Sequence, residues 1–298
     1  MKGLAVLALV VAGFAWGLGF PLGKVALREM EPAHLVLLRF VVAAAAGAPF
    51  AFARRETRAL FRSPAILIGG AFYGAAFLLQ FEGLARVSVT VAALLVGAMP
   101  ALIALSARLM GERQTRLSWA GVAGATLGAA LIAGRPDGAS TPLGIALSLV
   151  SLFVFIGWLV ALKRGPQPRS AMAIPAVTMV VATLAILPIA LLLHGPPKLN
   201  LSAAAWAGVI GQGLISTLLA TAAWQFGARR VGSATAGVFI NIEPLLGAAL
   251  GVLMFGDRMT AGLAAGGAMI LVGSVAVVMG ERGAPAAALA HDAPATPA

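Results

Sequence analysis

One carboxylate of this chain, Glu243, lies deep inside a long apolar stretch. A charge in such surroundings is costly and is therefore usually paired or functional. Glu243 could take up and release a proton, or it could make a polar contact with a bound molecule. Alternatively, it is a neutral side chain that hydrogen-bonds the backbone group freed by the neighbouring Pro244. Asn241 is a second polar candidate. Two residues apart on a helix do not share a face, so one of the pair can line a cavity while the other packs elsewhere.

Aromatic rings and a few amides occur at intervals in other apolar stretches. This combination is typical of a pocket for a small, partly apolar molecule, although the same residue types also serve in packing and at membrane interfaces. Pro100 and Pro244 lie in matching stretches, and we expect them to kink helices or to act as hinges. We predict that a cavity is lined by Asn241 together with Trp16, Phe20, Tyr73, Gln80, Trp158, Trp224 and Gln225.

Basic residues near the ends of the apolar stretches are interpreted structurally. Arg39 could bind a carboxylate, but we expect its long side chain to extend to the membrane interface. Lys24 and His34 are expected in loops. Two motifs, Gly111-Glu112-Arg113 and Gly256-Asp257-Arg258, are expected to end helices and to form local ion pairs.

The sequence offers little for enzymatic or metal chemistry. The three histidines, His34, His194 and His291, are scattered, and none lies in the middle of an apolar stretch. We therefore predict no catalytic residues, no metal site and no cofactor. The chain has no Gly-x4-Gly-Lys-Ser/Thr phosphate loop, so ATP hydrolysis by this chain is not expected. An integral-membrane enzyme is a less favoured alternative, and a channel would show more polar faces than these stretches have.

The composition identifies the environment that must position these side chains. Of the 298 residues, 60% are hydrophobic and 10% are charged, and the mean hydropathy is +0.98. A soluble domain has about 45–50% apolar and about 25% charged residues. Apolar runs of this length in lipid form helices, because helices satisfy their own backbone polar groups. We predict an all-α integral membrane protein with ten transmembrane helices, at 4–23, 34–53, 65–84, 88–109, 117–134, 142–162, 171–193, 203–226, 233–255 and 261–280.

The distribution of basic residues predicts the orientation. The net charge of +11 is spread along the chain between the apolar runs, which indicates topology signals and a lipid bilayer as partner rather than nucleic acid. Most Lys and Arg residues fall on the side of the N-terminus if there are ten spans. Both termini are therefore predicted to be cytoplasmic. The apolar run after Lys2 continues past Phe20 without a convincing cleavage site, so we expect a retained span rather than a signal peptide.

The two halves of the chain repeat each other. Arg86, Val87 and Pro100 recur 144 residues later as Arg230, Val231 and Pro244. Each repeat contains five spans, and because five is odd, the second repeat crosses the membrane in the opposite sense. Inverted repeats of this kind place a binding site at the midplane and permit alternating access. We predict a first repeat over 1–136, a second repeat over 137–282 and a disordered tail over 283–298.

Several motifs resemble those of the drug/metabolite transporter superfamily, specifically its EamA-type ten-helix exporters. The first is Trp16-Gly17 with Phe20 and Lys24 in and after the first span. The second is Arg86-Val-Ser followed by Pro100 and Gly111-Glu-Arg. The third is the copy of these in the second half, with Arg230-Val-Gly-Ser, Glu243-Pro244 and Gly256-Asp-Arg, where Asp257 replaces the Glu that the family pattern favours.

The resemblance implies a secondary transporter of the bacterial inner membrane that exports small metabolites. The overall pattern is most similar to amino-acid exporters, including those for aromatic amino acids, and an efflux carrier for drugs or other metabolites is the alternative. A monomer is favoured. A dimer is possible, because Gly124-x-x-x-Gly128 and Gly262-x-x-x-Gly266 permit close helix approach either within the chain or between two chains.

Overall fold

The computed structural model describes residues 2–109, 114–134, 137–231 and 233–282, and these form helices without any strand. The tail 283–298 and the motif Gly111-Glu112-Arg113 lie outside the described residues. Ten helical spans in the described part are long and apolar enough to cross a membrane, as predicted. In chain order, spans 1 to 10 are Gly3–Ala26, Pro32–Phe52, Pro64–Ala85, Val89–Arg108, Arg116–Gly134, Pro142–Leu162, Ala173–His194, Ala203–Val231, Ala236–Phe255 and Ala261–Gly280.

Six of the spans are continuous helices: Pro32–Phe52, Pro64–Ala85, Arg116–Gly134, Pro142–Arg164, Ala173–His194 and Ala261–Arg282. Several helix starts follow from local chemistry. Proline occupies the first helical position of spans 2, 3 and 6, where the missing N–H costs nothing. Thr141 caps span 6 by accepting a hydrogen bond from Gly144 N at 3.1 Å. A short helix, Arg55–Ala59, and a 3-10 turn, Leu60–Arg62, connect spans 2 and 3.

The other four spans are interrupted. Span 1 consists of Lys2–Gly17 and Gly19–Ala26, and span 4 of Val89–Val96 and Met99–Leu109. Span 9 consists of Ser233–Ile240 and Ile242–Phe255. Span 8 contains a π-helical segment, Gln212–Leu219, between Ala203–Gly211 and Ala220–Val231.

The breaks in spans 4 and 9 coincide with the two repeated prolines. Pro100 and Pro244 each follow a break by two or three residues. Because proline has no N–H, it cannot donate to the carbonyl four residues earlier. The carbonyls of Val96 and Ile240 therefore lack their helical donors at the end of each first half-helix.

The span pairs reveal a pseudo-two-fold arrangement. Extensive contacts between halves join span 1 to span 8, span 2 to span 7, span 3 to span 6, span 4 to span 9 and span 5 to span 10. When the two sets of five spans are exchanged, this list of pairs maps onto itself. Each span of one half thus packs extensively against a span of the other half, which leaves the interface between the halves as the place for a central cavity.

Spans 5 and 10 pack against each other through glycines. A Cβ atom on Gly128 would lie 2.5 Å from Gly266 O, and one on Gly273 would lie 2.6 Å from Gly121 O. These separations are shorter than real Cβ contacts, so the two backbones touch where side chains are absent. The small-residue spacing therefore serves a contact within the chain.

Three polar residues differ from their predicted positions. Lys24 lies in the second helix of span 1 and donates to Leu84 O at 2.8 Å and Val87 O at 2.6 Å, because the end of span 3 presents unpaired carbonyls. His34 is buried in span 2 and hydrogen-bonds Gly195 O through Nε2 at 2.9 Å. Gly256 ends its helix with φ at 66°, as expected, but Asp257 accepts a hydrogen bond from Thr90 N instead of pairing with Arg258.

We predict that Gly128→Ala destabilises the protein by about 1–3 kcal/mol, because the added methyl group has no room beside Gly266. Gly124→Ala is the matched control on the same helix, since its Cβ would meet Gly273 only at 3.8 Å. Thermal unfolding of the detergent-solubilised protein gives the unfolding midpoint of each variant. Equal midpoints for the two variants would contradict the close packing of spans 5 and 10.

Candidate functional site

A cavity lies between the two halves near the middle of the bundle and has a volume of about 170 Å³. One water needs about 10–15 Å³ on this measure, so the cavity suits a solute the size of an amino acid. Spans 1, 2, 3, 4, 6, 8 and 9 contribute the lining residues, which are Trp16, Gly19, Phe20, Arg39, Tyr73, Phe77, Gln80, Phe81, Val96, Met99, Ile103, Phe155, Trp158, Leu159, Gln212, Ser216, Trp224, Ile240 and Glu243.

An aromatic wall on one side of the cavity comes from spans 3 and 6. The rings of Tyr73 and Trp158 have centroids 4.7 Å apart, and those of Phe77 and Phe155 are 4.9 Å apart with their planes perpendicular. Tyr73 also packs edge-on against Phe77 at 4.8 Å. Edge-to-face contacts of this kind are favourable, and they hold the rings in defined orientations. The wall is therefore a rigid apolar surface for a bound molecule.

The exposure of the lining residues differs between the two ends of the bundle. We name the end at which span 1 begins the amino-terminal end. Lining residues nearer that end, including Trp158, Leu159 and Trp224, are partly exposed, whereas Arg39, Phe81 and Gln212 toward the opposite end are buried. Trp16 and Trp224 form a pair at 5.5 Å.

Contacts between the two halves close the opposite end. The carboxylate of Glu29 accepts hydrogen bonds from Ser202 N at 2.8 Å and Ser202 Oγ at 2.5 Å, and these bonds lower the pKa of Glu29. The carboxylate of Asp257 accepts from Thr90 N at 2.8 Å. His34 Nε2 bonds Gly195 O. Each of these contacts joins a residue of the first half to one of the second half, so opening this end requires that they break.

Arg39 brings a positive charge to the cavity. It is 1% exposed, and its Nε and Nη2 donate to Thr217 Oγ1 at 3.0 and 2.6 Å. Its guanidinium lies 4.1 Å from the ring centroid of Phe77 and 5.0 Å from that of Phe81. The predicted extension to the membrane interface is wrong, because the Thr217 hydroxyl and the two rings hold the guanidinium inside the bundle.

No carboxylate of the described residues lies within ion-pair distance of Arg39, since the one salt bridge found among them joins Arg86 to Glu82. A buried charge without a counter-charge is unfavourable. An anionic group in the cavity would compensate it.

Glu243 brings a carboxyl group to the same cavity. It lies in the first turn of the helix Ile242–Phe255, where the helix dipole favours a negative charge. Its counterpart in the first repeat, Met99, lines the cavity at the matching position after the break in span 4. The two repeats therefore place corresponding residues at one site, and only the second repeat supplies a titratable group there.

The structure brings together most of the predicted site residues. Trp16, Phe20, Tyr73, Gln80, Trp158, Trp224 and Glu243 all line the cavity. Gln225 and Asn241 are not among the lining residues. Gln225 follows Trp224 and points about a quarter turn away from it on the helix. Asn241 occupies the break in span 9, where its Nδ2 donates to Val238 O at 3.3 Å.

Several lining residues escaped the sequence analysis, namely Phe77, Phe81, Phe155, Gln212 and Ser216. In a span that is apolar on every side, the sequence carries no signal for the face that meets the cavity. Gln212 and Ser216 had a usable signal, because polar side chains are rare in such a span.

Comparison with known proteins agrees with this architecture. The model of a family described as the EamA-like transporter family matches twice, at residues 3–134 and 142–279. Fifteen chains among the solved structures also match. One, described as a crystal structure of a protein, covers 95% of this chain and 99% of its own with a TM-score of 0.65 and 23% identity, which shows a shared fold. No curated protein sequence matches.

We predict that Thr217→Val costs about 1–3 kcal/mol of stability, because it removes the hydroxyl that accepts from the buried Arg39. Thr126→Val is the control, since the Thr126 hydroxyl bonds only the Val122 carbonyl of its own helix at an exposed position. Chemical or thermal unfolding in detergent compares the two. A loss no larger than that of the control would mean that Thr217 does not hold the guanidinium.

Proposed function

Because the chain belongs to the EamA-like transporter family, we propose that it is a secondary transporter that exports amino acids with aromatic or other apolar side chains. Members of this family are transporters of small metabolites. The proposed site is the central cavity, and the proposed cycle is alternating access between the two repeats.

The polar side chains that line the cavity support an amino acid as the solute. Arg39 is the one basic side chain among the lining residues, and Gln80, Gln212 and Ser216 add amide and hydroxyl groups. A zwitterion matches this lining, since its carboxylate compensates the buried guanidinium and its ammonium group can donate to an amide oxygen. The aromatic wall of Tyr73, Phe77 and Trp158 then accepts an apolar side chain.

The contacts at the opposite end and the more exposed lining toward the amino-terminal end support alternating access. We propose that the cavity opens toward the amino-terminal end and that this end faces the cytoplasm, in line with the distribution of basic residues. Export from the cytoplasm across a bacterial inner membrane requires a state of this kind to load the solute. Breaking the contacts of Glu29, His34 and Asp257 at the opposite end would then release it. We propose that one chain is sufficient for this cycle, because the cavity is lined by both of its repeats.

An efflux carrier for aromatic cations is the second candidate. Glu243 and the tryptophans that line the cavity suit a cationic, planar drug. The unpaired guanidinium of Arg39 disfavours a cation in the same cavity, so the amino-acid proposal ranks first.

Counterflow in proteoliposomes tests the proposal. Vesicles containing the full chain are preloaded with single unlabelled amino acids, and the entry of the matching labelled compound is followed against protein-free vesicles. We expect saturable, stereoselective accumulation of phenylalanine, tryptophan or leucine. If folded protein gives no signal with any amino acid but accumulates an aromatic cation, the second candidate replaces the first.

We predict that Glu243→Gln abolishes stimulation of uptake by a pH gradient while counterflow persists, because the amide cannot carry a proton. A pH difference of one unit and a tenfold difference in solute concentration each correspond to about 1.4 kcal/mol. Exchange of one proton per solute molecule therefore supports up to about tenfold accumulation of the solute for each pH unit across the membrane. The control is Glu82→Gln, since Glu82 pairs with Arg86 at the end of span 3 outside the cavity. An unchanged pH response and rate in Glu243→Gln would remove Glu243 from coupling.

A further inference from the structure

Three buried polar atoms of residues that line the cavity have no hydrogen-bond partner in the described part of the chain. One is the indole Nε1 of Trp158 in the aromatic wall. The other two, Gln212 Oε1 and Ser216 Oγ, both belong to span 8. Both residues line the cavity, and they are 0% and 2% exposed. An unsatisfied polar atom at this depth costs free energy that a bound solute can recover. The two atoms therefore mark a place where a polar group of a ligand fits.

The amide orientation of Gln212 follows from its surroundings. Its Nε2 donates to Gly19 O, and a carbonyl oxygen can only accept. The nitrogen must therefore face Gly19, which leaves Oε1 as an acceptor for another group. The carbonyl of Gly19 belongs to span 1 next to the break at Leu18, so the two interrupted spans hold each other in position.

Gly19 lies beside these two atoms. A Cβ on Gly19 would lie 3.2 Å from Ser216 Cβ, 3.3 Å from Ser216 Oγ and 3.8 Å from Gln212 Oε1. A methyl group at position 19 would therefore press on Ser216 and approach both polar atoms.

The π-helical segment of span 8 connects this space to Arg39. Thr217 lies in that segment, accepts hydrogen bonds from the guanidinium and donates to Gln212 O at 2.7 Å. π-helical turns frequently occur at functional sites. Here the segment presents Gln212 and Ser216 to the cavity and positions Arg39 through Thr217.

The symmetry of the fold separates this region from the aromatic wall. Exchange of the two repeats relates the pair of spans 1 and 8 to the pair of spans 3 and 6. The first pair is interrupted and presents Gln212 and Ser216 beside the rings of Trp16, Phe20 and Trp224. The second pair is continuous and presents the aromatic wall together with Gln80. The amide and hydroxyl groups of span 8 therefore have no counterpart in span 3 other than Gln80.

We propose that Arg39, Gln212 and Ser216 form a head-group subsite for the α-carboxylate and α-ammonium groups of the solute. The carboxylate accepts hydrogen bonds from the Arg39 guanidinium and the Ser216 hydroxyl, and the ammonium group donates to Gln212 Oε1. The side chain of the solute lies against the aromatic wall. This inference rests on the proposed function, and it leaves the carboxyl group of Glu243 free for coupling.

Competition with phenylalanine analogues tests the subsite. Counterflow of labelled phenylalanine is inhibited with phenylalanine itself, with phenethylamine, which lacks the carboxylate, and with 3-phenylpropionate, which lacks the amine. We expect Ser216→Ala to weaken inhibition by phenylalanine about tenfold, the usual loss for a hydrogen bond to a charged group, and to leave phenethylamine unchanged. Gln212→Leu should weaken inhibition by phenylalanine but not inhibition by 3-phenylpropionate, which has no ammonium group.

Two further variants separate loss of binding from loss of folding. Gly19→Ala crowds Ser216 and leaves every polar side chain in place, so it should weaken inhibition by phenylalanine more than inhibition by phenethylamine. Its thermal unfolding midpoint is compared with that of the wild-type chain. Ser151→Ala is the control, because it removes a buried hydroxyl that bonds Ser148 O at 2.6 Å outside the cavity.

The outcomes separate the two proposals. If the wild-type chain shows no amino-acid counterflow, the proposed function fails and the subsite fails with it. For each variant, the inhibition constant of phenylalanine is divided by that of phenethylamine. If the wild-type chain transports phenylalanine but this ratio stays within about twofold of the wild-type value in both Ser216→Ala and Gly19→Ala, the subsite alone is overturned.

Discussion

Backbone amides and carbonyls inside a bilayer must find hydrogen-bond partners within the protein, and this constraint determines where the helices of this chain can be interrupted. The four interrupted spans, 1, 4, 8 and 9, all contribute to the lining of the central cavity. Each break lies where side chains or a cavity can satisfy the freed groups. Gln212 bonds the carbonyl of Gly19 beside the break in span 1, and Ser274 bonds that of Gly97 in span 4. The cavity and the breaks therefore depend on each other.

The same low-polarity surroundings make each charge in the cavity consequential. Arg39 is held by a hydroxyl and by aromatic faces and lacks a carboxylate partner among the described residues. A guanidinium held in this way is ready for an anionic ligand group. Glu243 lies in the first turn of a half-helix, where the backbone itself favours an anion. One basic and one acidic side chain thus line the cavity before any solute enters.

Divergence of the repeats gives the symmetric fold an asymmetric cavity. The prolines at 100 and 244 preserve the matching breaks in spans 4 and 9, but Met99 corresponds to Glu243. The pair of spans 1 and 8 carries an amide and a hydroxyl group as well as aromatic rings, and the related pair of spans 3 and 6 carries mainly aromatic rings. In the proposed cycle, the symmetry allows the two ends to open in turn, and the asymmetry favours one orientation of the solute.

The sequence by itself determined the ten spans, the two repeats and the membrane environment, because hydrophobic length and residue spacing are local properties of the chain. It also predicted that Trp16, Tyr73 and Trp158 line one cavity and singled out Glu243 as an acidic residue, since large aromatic and charged side chains are conspicuous in apolar spans. The tertiary structure decided which faces meet. A span that is apolar on all sides does not reveal whether Phe77 faces lipid or a cavity.

Arg39 illustrates the remaining difference. Its position near a span end permitted extension to the interface, and only the approach of Thr217, which is 178 residues away in the chain, directs it inward. Gln212 and Ser216 likewise lie beside Gly19 across the interface between spans 1 and 8, and the sequence of either span does not predict this contact. Such contacts between distant segments depend on how the helices pack, and no local pattern of residues encodes them.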